Sequence, residues 1–282
     1  MAAGVARRTG AAVRVVVVHD PSAYIPFAPG EVAIPIYDER LAEIHRKADQ
    51  QILDKAVTQL AASGVEASGV LLEGTVIEAL LEYTASQKAD LVVMGSHGRG
   101  GFERLRLGSV TTSYLTRSSV PTLLVPGSDS SSNADLSSGV LLCPLDGSPF
   151  AEQVLTHAQA LAQAMGMRMH LIAVAVPRAV AMAPFGAEAL LADSTAMQAE
   201  HETRETYLSE VAARCPEGTT WSAVSDMSVA QGLLAAARSM GASGMAVATH
   251  GRGGFKRLVL GSVTDELLRN SEMPVLVYRP QG

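Results

Sequence analysis

Short apolar runs alternate along the chain with longer stretches in which apolar positions recur at helical spacing. The alternation is clearest after residue 139. It predicts strands over Val140–Leu145, Met169–Val174, Thr219–Val224 and Met245–Thr249. Between them it predicts helices over Ala151–Met165, Leu190–Arg214, Val229–Met240 and Val263–Asn270, before a last apolar strand led by Pro274. Strands that are apolar along their whole length are buried on both faces. Separated by helices, they belong in a parallel sheet of βαβ units.

The pattern occurs twice. Residues 89–111 read ADLVVMGSHGRGGFERLRLGSVT and residues 242–264 read ASGMAVATHGRGGFKRLVLGSVT. Each position recurs 153 residues on, so that Gly98 returns as Gly251 and Gly108 as Gly261. Both blocks run into a short helix and a proline-led strand, Val120–Pro126 and Met273–Tyr278. Agreement of this length is an internal repeat. The expected organisation is two tandem domains, 1–127 and 139–282, joined by a serine-rich linker, 128–138, flexible by composition. Each is expected to be α/β, a doubly wound parallel sheet of Rossmann-like architecture.

The first repeat is expected to lack its first strand. Val5–Val18 aligns with Leu161–Val174, 156 positions on, so nothing matches Val140–Leu145 or Asp146. In a sheet ordered 3-2-1-4-5 that strand is central, and without it strands 2 and 4 have backbone groups to satisfy. Two readings stay open: a chain that starts further upstream, which is favoured, or another segment in the vacant position.

The spacing Gly95-x2-Gly98-x9-Gly108-Ser109 follows a buried strand and opens a helix. Open parallel sheets bind ligands at that place, beyond the carboxyl ends of the strands. Glycines allow close approach and positive φ. Behind Ser109, the amides of Val110 and Thr111 have no partner within the helix, which suits an anion. Arg99 and Arg252 bring positive charge. The loop is neither a Walker A sequence nor a dinucleotide fingerprint, since no Gly-Lys-Ser/Thr closes it and it follows the fourth strand. A glycine loop that merely turns tightly is the competing reading.

The two blocks resemble the ATP-binding motif G-x2-G-x9-G-(S/T) of the universal stress protein family. The stretch Leu141–Glu152 resembles that family's first strand and following loop. The resemblance implies two adenine nucleotide alpha hydrolase-like domains and ATP, with Mg2+ possible, as ligand. In the second repeat it implies Pro144 and Asp146 beside the nucleoside and the backbone of Val174 on the adenine edge. Ala248, Gly251, Arg252 and Gly261 border ribose and phosphates, and Ser262, Val263 and Thr264 hold the phosphate tail. In the first repeat it implies Val18, Gly95, Gly98, Arg99, Gly108, Ser109, Val110 and Thr111 in the same roles. Ala248 replaces a motif glycine and narrows the approach to ribose, whereas the first repeat lacks the equivalent of Asp146. The second repeat is therefore expected to be the better site in the chain as it stands; an upstream first strand would reverse this. The resemblance also implies pairing of the repeats across their last strands, a homodimer and a regulatory protein partner. Slow ATP hydrolysis, phosphoryl or adenylyl transfer, and a scaffold without nucleotide are the alternatives.

Composition narrows the classes. A net charge of −6 argues against a nucleic-acid binder. No apolar run reaches the ~18 residues of a membrane span, and the first residues lack the apolar segment of a signal peptide. Two cysteines make neither a disulfide framework nor a metal cluster, and Cys143 reads as a core thiol. A cytoplasmic protein is expected. His97 and His250 could face phosphate or simply brace the loop. Trp221 reads as a packed strand residue, and 181–192 as a cover over the site or a surface loop.

Overall fold

The computed structural model describes residues 1–21, 39–96, 107–127, 136, 138–176, 187–249 and 260–280, with the side chains of 187–196 set aside. Two compact units emerge, Ala2–Ala89 and Asp90–Gly282. The smaller contains α1 (Ala2–Thr9), β1 (Val13–His19), α2 (Glu39–Ala62), β2 (Ala67–Glu73) and α3 (Val76–Ser86). Its sheet is the parallel pair β1–β2, in register from Val13–Ala67 to His19–Glu73. Val5, Ala6, Leu53 and Val65 are the buried apolar side chains among its described residues, and the valines of β1 are only half-buried. His19, at the end of β1, is buried with its Nδ1 2.9 Å from Oδ2 of Asp49 on α2.

The larger unit opens with β3 (Val92–Gly95), α4 (Ser109–Arg117) and β4 (Thr122–Val125). The second repeat follows: β5 (Gly139–Pro144), α5 (Pro149–Glu152), α6 (Val154–Met165), β6 (Met167–Ala175), α7 (Ala187–Ala212), β7 (Thr220–Ser225), α8 (Val229–Ser239), β8 (Gly244–Ala248), α9 (Ser262–Asn270) and β9 (Val275–Tyr278). The single helix expected over 151–165 is two, α5 and α6. Seven strands form one sheet in the order β3-β4-β9-β8-β5-β6-β7. Within it β7-β6-β5-β8-β9 are the parallel strands 3-2-1-4-5 of the second repeat. The last strands of the two repeats, β4 and β9, pair antiparallel from Thr122–Val277 to Leu124–Val275. Among the described residues no strand pairs with both β1 and β3, the neighbours that a central strand of the first repeat would join.

Residues 167 and 169–175 of β6 are buried, as the sequence of an inner strand requires. Leu233, Leu234 and Ala237 of α8 pack with Leu267 and Leu268 of α9 against Ile172, Met245, Val247 and Val275. Cys143 is fully buried, and burial pushes its thiol well above the ordinary value, so it remains neutral packing. Trp221 departs from expectation: it stands on β7, an edge strand, and is 43% exposed, because an edge strand has no neighbour to cover it.

Within the expected linker, Leu136 and Ser138 are described. Leu136, flanked by serines and an aspartate, is 1% exposed. Its Cδ2 lies 3.0 Å from where a Cβ on Gly244 would stand, so it fits over a residue with no side chain. Ser138 N then donates to Met165 O at 3.2 Å. Leu136 is thus held by hydrophobic burial. Leu136→Ala should destabilise the larger unit by about 2–5 kcal/mol, read from denaturant unfolding followed by Trp221 fluorescence.

His170 on β6 is held across the strand pair, Nδ1 2.8 Å from Thr220 Oγ1 and Nε2 2.9 Å from Ser222 Oγ. Burial lowers its pKa below 6.5. The unfolded chain therefore binds the proton first as pH falls. The stabilisation is complete above the unfolded value and is lost as pH drops towards and through the folded one. His170→Asn should flatten the decline of stability between about pH 7 and pH 5, measured as unfolding midpoint against pH.

Candidate functional site

The sheet opens where its strand order reverses. β5 pairs with β6 over six positions, Gly139–Met167 to Pro144–Ile172. With β8 it pairs at two only, Leu141–Gly244 and Leu142–Met245. The carboxyl ends of β5 and β8 therefore carry no ladder between them, which is the crevice expected at a topological switch point. Pro144 and Asp146 lie on one side of it and Ala248 on the other.

Asp146 follows β5 in the turn Asp146-Gly147-Ser148. Its Oδ1 accepts from Ser148 N at 2.9 Å and from Ser148 Oγ at 2.6 Å. The same Oγ accepts from Ala151 N at 3.2 Å and caps α5. Glu152 at the end of α5 is gripped from α7 and the turn after it: Tyr207 Oη donates to Oε1 at 3.1 Å and Arg214 Nη2 to Oε2 at 2.9 Å. Burial, then the negative charges of Glu152 and Asp146, hold the Tyr207 phenol well above its ordinary value, so it donates rather than ionises. Sequence reasoning missed Tyr207 and Arg214. Tyr207 lies on α7 and Arg214 in the turn after it, and nothing in the sequence paired either with Glu152.

β6 outruns β5. The Ile172 carbonyl accepts from Leu145 N at 2.8 Å, on the β5 side, and the Ala175 carbonyl accepts from Asp226 N at 3.2 Å, on the β7 side. Along a strand the N–H and C=O of one residue point the same way and neighbours alternate. Val174 thus turns both groups towards β5, past the last paired position of that strand. A backbone donor and acceptor stand side by side at the rim of the crevice.

Opposite them α9 begins. Gly261 N donates to Thr249 O at 2.9 Å, and the Thr264 hydroxyl donates to Ala248 O at 2.9 Å. Copy one repeats both contacts: Gly108 N to Ser96 O at 3.1 Å and Thr111 Oγ1 to Gly95 O at 3.2 Å. The threonine that closes each block is a staple between helix and strand, a side-chain role that motif spacing does not reveal. Of the two reasons expected for the glycines, positive φ does not apply at the described positions. Gly108 and Gly261 have φ of −59° and −60°, and Gly95 is not in the left-handed region. A Cβ on Gly261 would lie 3.1 Å from Thr249 O, so close approach, not positive φ, excludes a side chain. At Gly108 the corresponding distance is 3.6 Å.

Neither α4 nor α9 has a side-chain cap, because the capping residue is glycine. The first intrahelical bond of α9 runs from Asp265 N to Gly261 O at 2.8 Å. The amides of Ser262, Val263 and Thr264 precede it and have no helical acceptor. Asp265, an anion in the first turn, is neutralised by Arg269 through bonds of 2.8 and 2.9 Å.

Pro144, Asp146, Val174, Ala248, Gly261, Ser262, Val263 and Thr264 are therefore gathered round one crevice. Gly95, Gly108, Ser109, Val110 and Thr111 form the corresponding strand end and helix start of copy one, with β3 at the sheet edge. Val18 lies on β1 in the smaller unit, paired with Leu72. Gly98, Arg99, Gly251 and Arg252 lie outside the described residues, as do His97, His250 and 181–186; residues 187–192 belong to α7. A separate hollow of about 410 Å³ in the smaller unit is lined by Glu73, Glu78 and Glu82 and by no predicted site residue. Its carboxylates would repel an anionic ligand.

Comparison with known proteins agrees with this architecture. The sequence model of the universal stress protein family matches residues 1–126 and again 139–279. A universal stress protein of Mycolicibacterium smegmatis is 34% identical over 202 residues, 70% of this chain and 64% of that protein. One from Mycobacterium tuberculosis is 32% identical over 195 residues, 69% of this chain and 63% of that protein. The chain thus spans a little under two thirds of the length of these relatives. Among solved structures, a universal stress protein from Archaeoglobus fulgidus covers 99% of this chain and 89% of its own at a TM-score of 0.65 and 21% identity, a likeness of fold. With one match on each repeat, the chain belongs to the universal stress protein family.

Proposed function

We propose that the second repeat binds ATP in the crevice between β5 and β8 and that its occupancy serves a regulatory, stress-sensing role. The carrying observation is the start of α9. Three backbone amides without helical acceptors follow a glycine that offers no side-chain cap to compete for them. Such a terminus favours phosphate. At the other side of the crevice, Val174 offers a donor and an acceptor that match N1 and the amino group of adenine. Asp146, held by Ser148, stands between the two and suits the nucleoside. Gly251 and Arg252 complete the phosphate loop in this reading, with Mg2+ accompanying the triphosphate.

The first repeat is the weaker site. Gly95, Gly98, Arg99, Gly108 and the amides of Ser109, Val110 and Thr111 match the phosphate half. The other half needs a strand bearing a counterpart of Asp146 beside Val18, and none of the described strands supplies it. ATP acts on a partner only through a difference in affinity between two states. The proposed setting is the cytoplasm, with a homodimer and a regulatory protein partner. No helix among the described residues is long and apolar enough to cross a membrane. Because β4 and β9 already pair within the chain, association between chains uses another surface.

Calorimetry with Mg-ATP tests the binding, and absence of heat with folded protein would sink the reading. Ser262→Pro tests the amide. Proline is tolerated at the first helical position and removes the N–H, and Gly261 at φ −60°, ψ 147° already has the backbone that precedes proline. ATP should bind about tenfold more weakly with little change in the unfolding midpoint. Asp146→Asn should also weaken ATP, while Asp49→Asn in the smaller unit should not.

A further inference from the structure

The turn that holds Asp146 is built a second time on the far side of β6. Asp226-Met227-Ser228 follows β7 as Asp146-Gly147-Ser148 follows β5. Asp226 Oδ1 accepts from Ser228 N at 2.9 Å, and Ser228 Oγ accepts from Gln231 N at 3.4 Å to cap α8. The bond from Asp226 N to Ala175 O at 3.2 Å places the residue directly beyond the carboxyl end of β6. Two carboxylates with the same orientation device therefore flank the strand whose backbone end faces the crevice. Oδ2 of Asp226 has no hydrogen-bond partner among the described residues.

The packing beneath it is specific to this repeat. A Cβ on Gly232 of α8 would lie 2.7 Å from Asp226 Cβ and 3.4 Å from Val174 Cγ1. The absent side chain lets Asp226 and Val174 close on the same spot. In the first repeat the matching bond to the end of β1 comes from Gly74, whose N donates to His19 O at 3.0 Å, and Ala79 occupies the place of Gly232. Both the carboxylate and the space made for it are thus absent there.

We propose that Asp226 is a base-selecting residue of the second-repeat site. Through Oδ2 it accepts the hydrogen of an exocyclic amino group that Val174 does not use, and so selects a 6-amino over a 6-oxo purine nucleotide. This rests on the nucleotide reading given above. A carboxylate facing the amino group of adenine makes a charge-assisted hydrogen bond, whereas facing the carbonyl of hypoxanthine it sets acceptor against acceptor. The amide of Ser228 engages Oδ1 and so leaves Oδ2 as the oxygen that can accept from a ligand. In Asp226→Asn the amide oxygen keeps the Ser228 contact and the NH2 replaces Oδ2, turning an acceptor into a donor.

The test is titration of the full chain with Mg-ATP and Mg-ITP, wild type and Asp226→Asn, with thermal unfolding as the check on folding. Wild type should prefer ATP by about tenfold or more. In Asp226→Asn, ATP should weaken by about tenfold and ITP should bind as well as to wild type or better, so that the preference shrinks by about tenfold to the share that Val174 keeps. Wild type binding ITP as tightly as ATP overturns the assignment without any variant. A variant that folds and keeps the wild-type preference overturns it too, while leaving the ATP site standing. Binding of neither nucleotide to wild type removes the ATP site and this residue's role together.

Discussion

The second repeat depends on how β5 is hydrogen-bonded. As the central strand it must satisfy backbone groups on both sides. It does so with β6 along six positions and with β8 along only two at its amino end. The sheet is thereby closed at one edge and open at the other. Everything assigned to function lies at the open edge: the Asp146 turn, the last backbone pair of β6 and the start of α9. Had β5 and β8 paired along their whole length, Ala248 O would be taken by the ladder and Thr264 would have nothing to hold.

The first repeat shows the same constraint from the other side. Its β1–β2 pair forms a sheet of its own within a small unit that has few buried apolar side chains among its described residues. Its β3 and β4 are joined instead to the larger sheet through the antiparallel β4–β9 pairing. By compactness the chain divides after residue 89, within the first repeat, and Leu136 packs on Gly244 of the second. Compact units follow where hydrogen bonds and apolar burial are, not where the repeat begins.

The site is braced by inexpensive devices used repeatedly. Each conserves a strand-to-helix junction with a side chain of two or three heavy atoms: Ser148 and Ser228 as caps, Thr111 and Thr264 as staples. Rigid junctions of this kind hold backbone amides in place before a ligand arrives, which lowers the ordering cost of binding. Tyr207 and Arg214 extend the bracing to α7 through Glu152.

Much was legible from residue order alone. The parallel α/β class, the repeat and the glycine loop at a strand's carboxyl end follow from local periodicity and spacing, which a sequence records directly, whereas the grouping of Asp146 with Ser262 came from the family resemblance. What only tertiary structure decided concerns partners distant in the chain: Leu136 over Gly244, Tyr207 on Glu152, the Thr264 hydroxyl on Ala248 O, Asp226 beside Val174. The reason Gly261 is glycine belongs there too, because its φ is ordinary and the obstruction is a carbonyl twelve residues away. Local rules see a residue and its near neighbours; steric room and hydrogen-bond pairing across a sheet exist only once the chain has closed on itself.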